Sequence, residues 1–419
     1  MKELALLVFE LLVAWLVIQA SVTLVFLWSL RSPQKNSLPD EKLPKAAVIL
    51  CLRGGDPFLP YCLRSLLHQD YPHYDLKVIV DSKEDPAWKI AHDAIASFPA
   101  TNIHIRTLSI RRYNCSLKCS CLVQAVSELD DSYKVVALAD ADAVVHSHWL
   151  RELVTPLQEP KIGATTGNRW YLMSGKYWGT TVRFLWNASA VVQMFLYGIP
   201  WGGTLALKTE VIHKTGLLDK WARAYGEDTM LPRVLGQHGL KVKFVPSLLI
   251  LNREEVDLPR LVEWIKRQLL SSRLYHPHWW AVIVDALSTV LLPNLLLALL
   301  IATLCTQQWH AAILAFTGFS GYMMALLLLA IALQKGVQQV TSKHGEPKAK
   351  LSPSTIAKML LAIPLTNWTH GFALISSLWM STVNWRGAIY RINGPWNIRL
   401  IEYRPYQPFD QPIDTKVSL

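Results

Sequence analysis

Two apolar blocks flank a region of mixed pattern. Leu11–Leu30 is a run of twenty residues without a charge. At about 1.5 Å per helical residue it matches the roughly 30 Å hydrocarbon core of a bilayer. It exceeds the length of a signal-peptide core, and no small-residue cleavage site follows it. Ser32–Pro44 is polar, contains three prolines and reads as a linker. From Lys45 to about His276 short apolar runs alternate with amphipathic stretches. Strands are predicted at Ala46–Leu52, Leu76–Asp81, Ile103–Leu108, Tyr133–Asp140 and Ile162–Gly167. Helices are predicted near Phe58–His68, Ala87–Phe98, Leu117–Glu128, Trp149–Leu157 and Thr229–Leu235. This alternation predicts an α/β domain with a mostly parallel sheet covered by helices.

Beyond Tyr275 the pattern becomes apolar again. Ala286–Gln334 carries no formal charge and is broken at Thr306–His310, which gives two spans. Lys335–Lys350 is a basic, polar loop. Met359–Trp385 is a third uncharged stretch, interrupted by Pro364 and Asn367–Gly371. A third crossing would place Arg386, Arg391, Arg399 and Arg404 outside, against the positive-inside rule, so a re-entrant or interfacial segment is expected. The predicted division is a transmembrane helix at 1–30, a linker at 31–44, an α/β domain at 45–257 and an interfacial helix at 258–280. Two transmembrane helices follow at 281–334, then a cytoplasmic loop at 335–357, a membrane or re-entrant segment at 358–385 and a tail at 386–419.

Composition agrees with embedded helices: 51% of residues are hydrophobic and 17% charged. The net charge of +11 would suit a nucleic-acid partner, but no Lys/Arg-dense block with interleaved aromatics occurs, so none is expected. Much of the excess flanks the apolar segments, as beside anionic lipid. Arg31, Lys35, Lys42 and Lys45 follow the first span and only Lys2 precedes it, which places the α/β domain in the cytoplasm, as in a bacterial inner-membrane protein or its equivalent. Cys115, Cys119 and Cys121 cluster without a second Cys/His pair at zinc-ligand spacing, so free thiols are expected.

Four features supply candidate chemistry. The apolar run Val135–Ala139 ends in Asp140-Ala141-Asp142, at the strand end where open α/β sheets bind ligands. The pair is either a solvated turn after the strand or, since two carboxylates there repel each other, a seat for a hard cation such as Mg²⁺ or Mn²⁺. Asp81 ends an earlier strand, where a carboxylate can meet a base or ribose; the following Asp85-Pro86 also suits a helix start. Gly202-Gly203 permits close backbone approach, or an ordinary turn. Glu227-Asp228 precedes a helix and serves either as a cap or as a general base towards a hydroxyl. Lys118, with Arg111 and Arg112, either counters a pyrophosphate or forms a solvated face. Leu258–Tyr275 is amphipathic, carries Trp264, Lys266, Arg267, Gln268 and Arg273, and suits the headgroup level. Arg267 or Arg273 could meet a departing diphosphate from there.

Taken together, these residues resemble the membrane-bound family-2 glycosyltransferases, most closely the ceramide glucosyltransferase-like branch. The likeness runs over Ala46–Trp280. It rests on Arg53-Gly54-Gly55-Asp56-Pro57, His68-Gln69-Asp70-Tyr71-Pro72, Asp85-Pro86-Ala87, Asn114…Lys118, Asp140-Ala141-Asp142, Gly202-Gly203 and Glu227-Asp228 in the family's order. Trp385-Arg386-Gly387…Tyr390 adds a weaker likeness. The resemblance implies a GT-A (Rossmann-like) domain with one N-terminal and two to three C-terminal membrane helices. It implies a UDP-hexose donor and a divalent metal. Asp81, Lys118, Asp140, Gly202 and Gly203 would face the nucleotide-sugar, Asp142 the metal, and Asp228 would be the base. Glu227, Arg267, Gln268 and Arg273 would contact acceptor or diphosphate. The chain departs from the family's (Gln/Arg)-x-x-Arg-Trp motif: Arg267-Gln268-Leu269-Leu270-Ser271 lacks the Arg-Trp, which Arg273 or Trp279 would have to replace. The expected activity is inverting transfer of a hexose to a membrane lipid hydroxyl from the bilayer's inner face. Alternatives are a polysaccharide synthase, transfer to a polyprenyl phosphate, and a non-catalytic membrane scaffold.

Overall fold

A computed structural model describes residues 1–32, 37–96, 98, 101–173, 176–348 and 350–407. Lys35 in the predicted linker, Ser97 in the second predicted helix and the end of the predicted tail lie outside the described residues. The chain starts with α1 (Lys2–Leu30), nine residues longer at its front than the uncharged run, because helix geometry tolerates Glu3 and Glu10. The mixed region then lays down β1 (Ala46–Leu52), α2 (Leu59–Leu67), β2 (Tyr74–Val80), α3 (Pro86–Ala96), β3 (Ile103–Thr107), α4 (Leu117–Ser127), β4 (Val135–Ala139), α5 (Trp149–Val154) and β5 (Ile162–Tyr171). α6 (Trp178–Tyr197), β6 (Thr204–Lys208), α7 (Thr209–Lys214), α8 (Leu217–Trp221), α9 (Leu231–Gly236), β7 (Lys241–Asn252) and α10 (Leu258–Tyr275) complete it.

The seven strands form one sheet in the order β3-β2-β1-β4-β6-β5-β7. β1 pairs parallel with β2 and β4, and β6 is antiparallel to both its neighbours. The wholly apolar β4 is buried throughout because each face has a core of its own. Val136 and Leu138 pack on one side with α4, whereas Val135, Ala137 and Ala139 pack on the other with α2 and α5. Chain order reverses beside β4, so the strand ends carrying Asp81 and Asp140 open into one crevice.

α11 (Trp279–Cys305) and α12 (Trp309–Thr341) follow. Among the described residues three helices are long and apolar enough to cross a membrane: Lys2–Leu30, Trp279–Cys305 and Trp309–His344. They are tied to the globular domain by apolar packing and by Trp170, whose indole Nε1 donates to Gln334 Oε1 at 2.8 Å.

The third C-terminal stretch is a single helix, α13 (Pro353–Trp379), with Pro364 inside it, and not a re-entrant hairpin. The connection that leads into it meets the globular domain in an ion pair between Arg253 and Glu346. At its end Arg273 donates to the carbonyls of Ser377 and Leu378 and, at 2.6 Å, of Met380. Between these points α13 packs along α10 and α6. The predicted tail also differs. β8 (Thr382–Trp385), β9 (Ala388–Ile392) and β10 (Ile398–Tyr403) form an antiparallel sheet with Val383, Tyr390 and Leu400 buried against the α4 side of the domain. The short alternation of these strands is masked in the sequence by frequent arginines and a Gly-Pro turn.

Candidate active site

The crevice at the strand ends holds a polar cleft of about 220 Å³. Asp81, Lys118, Asp140, Asp142 and Arg267 all line it. Asp81, immediately beyond β2, is buried. Its Oδ2 accepts from Arg53 and, at 2.7 Å, from the Tyr403 hydroxyl. Its Oδ1 has no hydrogen-bond partner, with the Arg111 guanidinium 3.8 Å away. Asp85 accepts from the Ala87 N–H at 2.9 Å and from the Gly54 N–H, so it caps α3 and also fastens the β1 loop. The helix-start reading of Asp85-Pro86 therefore holds.

Ser116 caps α4 through its hydroxyl, which accepts from the Cys119 N–H. This places Lys118 in the first turn, where its Nζ lies 2.6 Å from both Asp140 Oδ1 and Glu227 Oε1. Burial alone would lower the Lys118 pKa; Asp140 and then Glu227 outweigh it and hold the ammonium charged. In return, although burial opposes it, Lys118 and then Arg169 keep the Asp140 pKa below its ordinary value. Burial raises the pKa of Glu227 despite Lys118, helped by Asp228.

Asp142 lacks such a cation. It accepts one hydrogen bond, from Asn252 Nδ2 at 2.7 Å. Burial, then Asp140, Asp56 and Glu254, push its carboxyl up to about 7, with Arg169 opposing. Crowded carboxylates with one amide donor are an oxygen-rich setting that a divalent cation relieves, so these residues fit the predicted metal.

Gly202 and Gly203 are required by close approach. A Cβ on Gly202 would sit 2.0 Å from Glu227 Oε1, and one on Gly203 would sit 2.2 Å from the Trp201 ring and 2.7 Å from Asp140 Oδ2. The Gly202 N–H donates to Asp228 Oδ2 at 2.9 Å, while the Thr229 N–H and hydroxyl donate to Oδ1. Asp228 does not line the polar cleft. It lines a neighbouring apolar cavity of about 440 Å³ bounded by α1, α6, α11, α12 and α13. Arg169 lines both spaces, and its guanidinium donates to Gln268 Oε1 at 3.1 Å and lies 4.8 Å from the Trp264 ring centre.

Of the interfacial residues, Arg267 reaches the cleft, half-buried, with Nε unpartnered and its pKa lowered by desolvation. Gln268 reaches the apolar cavity. Arg273 reaches neither, because its guanidinium closes the end of α13, and Trp279 is likewise absent from both linings. Trp264, one turn before Arg267 on α10, and Trp385-Arg386 from the C-terminal sheet line the cleft as well. Sequence reasoning also missed Arg53, Arg169, Asn252 and Tyr403 as site residues. Only the Arg53-Gly54-Gly55 and Trp385-Arg386-Gly387 segments gave any signal; Arg169 stands in an ordinary strand.

The sheet order and the acidic crevice define a GT-A glycosyltransferase domain joined to membrane-type helices. The chain belongs to glycosyl transferase family 21, whose pattern matches residues 10–396, and it is an enzyme of that class. It is 38% identical over 72 residues to the ceramide glucosyltransferase of Pyricularia oryzae, a match covering 17% of this chain and only 15% of that protein. Among solved structures it resembles the mannosyltransferase PcManGT from Pyrobaculum calidifontis in complex with GDP-Man and Mn²⁺. That match has 16% identity and a TM-score of 0.45, covering 86% of this chain and 99% of the other. GalNAc-T7 with UDP, GalNAc and Mn²⁺ is similar at 14% identity and a TM-score of 0.39, covering 57% of this chain and 49% of the other.

Proposed function

We propose that the chain moves a hexose, with inversion, from a UDP-sugar to a hydroxyl group of a membrane lipid at the cytoplasmic face. The observation that carries this reading is the junction at Arg169 between a charged cleft and an apolar cavity with Asp228 on its wall. The UDP-hexose follows from the family resemblance. The lipid follows from the cavity, whose walls are membrane-type helices and whose chemistry suits acyl chains. Arg31, Lys42 and Lys45 between α1 and the sheet support the cytoplasmic side.

In this reading Asp81, with its free Oδ1, receives the nucleoside, while Lys118 and Asp140 orient the diphosphate and sugar. Asp142 would hold Mg²⁺ or Mn²⁺, and a cation bound there neutralises charge on the departing diphosphate. Arg169, Arg267 and Arg386 line the cleft and add positive charge towards the same group. The acceptor oxygen attacks the anomeric carbon opposite the diphosphate. Its proton passes to Asp228, and the electrons of the broken C–O bond leave with UDP. The Gly202 and Thr229 donors fix the orientation of the Asp228 carboxylate, so catalysis is largely positioning and electrostatics.

The test incubates the purified full chain with Mn²⁺, radiolabelled UDP-sugars and a total lipid extract. Label should enter the organic phase, and Asp228→Asn should lower that rate by about 10²–10⁴-fold with little change in UDP affinity. Label found only in a water-soluble polymer would transfer the assignment to a polysaccharide synthase.

A further inference from the structure

On the far side of β4 from Lys118, three potential ligand side chains meet outside both cavities. His146 lies four residues beyond Asp142, Glu152 is on α5, and His344 lies in the turn that ends α12. One donor atom from each falls within 4.8 Å of the others. His146 Nε2 is 3.8 Å from Glu152 Oε2, and the two imidazoles stack with ring centres 3.7 Å apart. Glu152 is buried, with 5% of its side chain exposed, and its Oε2 has no hydrogen-bond partner. Neither His146 nitrogen makes a hydrogen bond of ordinary geometry. Burial pushes the His146 pKa down to about 3, helped by His344 and His148 and opposed by the Ser247 backbone, so the ring is neutral with a lone pair available.

Three buried polar atoms without partners, two on His146 and one on Glu152, cost several kcal/mol together, and the half-buried His344 joins them from nearly two hundred residues further along the chain. The apolar packing of α12 on β7 and the ion pair between Arg253 and Glu346 also bring this segment to the domain, so its position does not depend on His146. We propose that His146, Glu152 and His344 form a second divalent-cation site, of the Zn²⁺ class, that clamps the end of α12 to the segment following Asp142. Two imidazoles and one carboxylate favour Zn²⁺ over the oxygen-seeking Mg²⁺. Donors about 2.1 Å from a tetrahedral ion stand about 3.4 Å apart, and the stacked rings would swing out of parallel to aim both lone pairs at one ion. The fourth position would go to water. This site shares no ligand with the cleft, and it stands whether or not the proposed donor and acceptor are correct.

The experiment uses the full chain in detergent, stripped with chelator, exposed to Zn²⁺ and desalted, with retained zinc measured by elemental analysis. Wild type should retain one equivalent, Glu152→Gln and His344→Ala should retain none, and Asp142→Asn should retain as much as wild type. Zn²⁺ should also raise the thermal midpoint of wild type but not of Glu152→Gln, which preserves side-chain shape. Retention of no zinc by wild type overturns the proposal. So does zinc kept by both the Glu152 and His344 variants, or lost in Asp142→Asn alone, which would assign the ion to the cleft.

Discussion

At the residue scale the site depends on charges placed closer than side chains ordinarily allow. Lys118 bridges Asp140 and Glu227 across a backbone that only glycine can follow. Gly202→Ala would drive a methyl into Glu227, break that bridge and leave a buried charge uncompensated, at a cost on the order of 3–5 kcal/mol. A lowered thermal midpoint together with weaker UDP binding is the expected result. Asp142 gives a pH signature. Its carboxyl titrates at about 7 when folded against 3.8 ordinarily, so the folded chain binds that proton more tightly. In the metal-free protein its ionisation opposes folding as pH rises from about 4 to 7, and its contribution to stability is greatest below that window. A cation requires the ionised form, so Mn²⁺ affinity should rise with pH and level off above about 7. Titrating Mn²⁺ binding by electron paramagnetic resonance at several pH values checks this, and Asp142→Asn should abolish both the affinity and its pH dependence.

At the element scale the small C-terminal sheet acts as part of the cleft. Tyr403, the last residue of β10, donates to Asp81, and Arg386, beside β8, contributes to the wall. Tyr403→Phe removes one hydrogen bond to a carboxylate, about 1.5 kcal/mol, or roughly tenfold in UDP affinity, with kcat little changed. Isothermal titration with UDP would measure this. α10 shows how an element can be legible while its contacts are not. Its bounds, Leu258–Tyr275, coincide with the amphipathic stretch, because 3.6-residue periodicity is a local property. Which of its polar residues reaches the site depends on neighbours: Arg267 faces the cleft, while Arg273 meets the end of α13. Of the forms expected for this segment, α13 excludes the re-entrant hairpin, since Pro364 and Asn367–Gly371 look like a break until other helices pack around them.

At the scale of the whole molecule, the globular domain and the helices enclose the apolar cavity jointly, and neither provides it alone. Trp15 and Gln19 of α1, Ser189 of α6 and Ser271 of α10 line the same space, which ends at Asp228. If an acyl chain occupies it, filling it should stop transfer to lipid without disturbing the cleft. Ser189 is solvent-exposed although it lines the cavity, so Ser189→Trp can enlarge the side chain without overpacking the core. Lipid glycosylation should fall at least tenfold through a raised acceptor KM, with UDP affinity unchanged. Unchanged lipid kinetics would remove the cavity from the acceptor's path.

The strands β1 to β5, helices α2 to α5, the three apolar spans and the order of acidic motifs were readable from the sequence, because each is written in a local pattern of apolar and polar residues. That Asp81 and Asp140 stand at strand ends and Asp228 shortly before a helix was readable too, because an apolar run that stops at a carboxylate marks where the element ends. Tertiary structure alone decided that Asp81 and Asp142 share a cleft while Asp228 faces the cavity beside it. It also decided that Arg169 joins the two, that Arg273 is spent on a helix end, and that a basic tail folds back over Asp81. These are contacts between segments as much as 322 residues apart, and no periodicity along a chain encodes which distant side chain fills a gap; packing in three dimensions does.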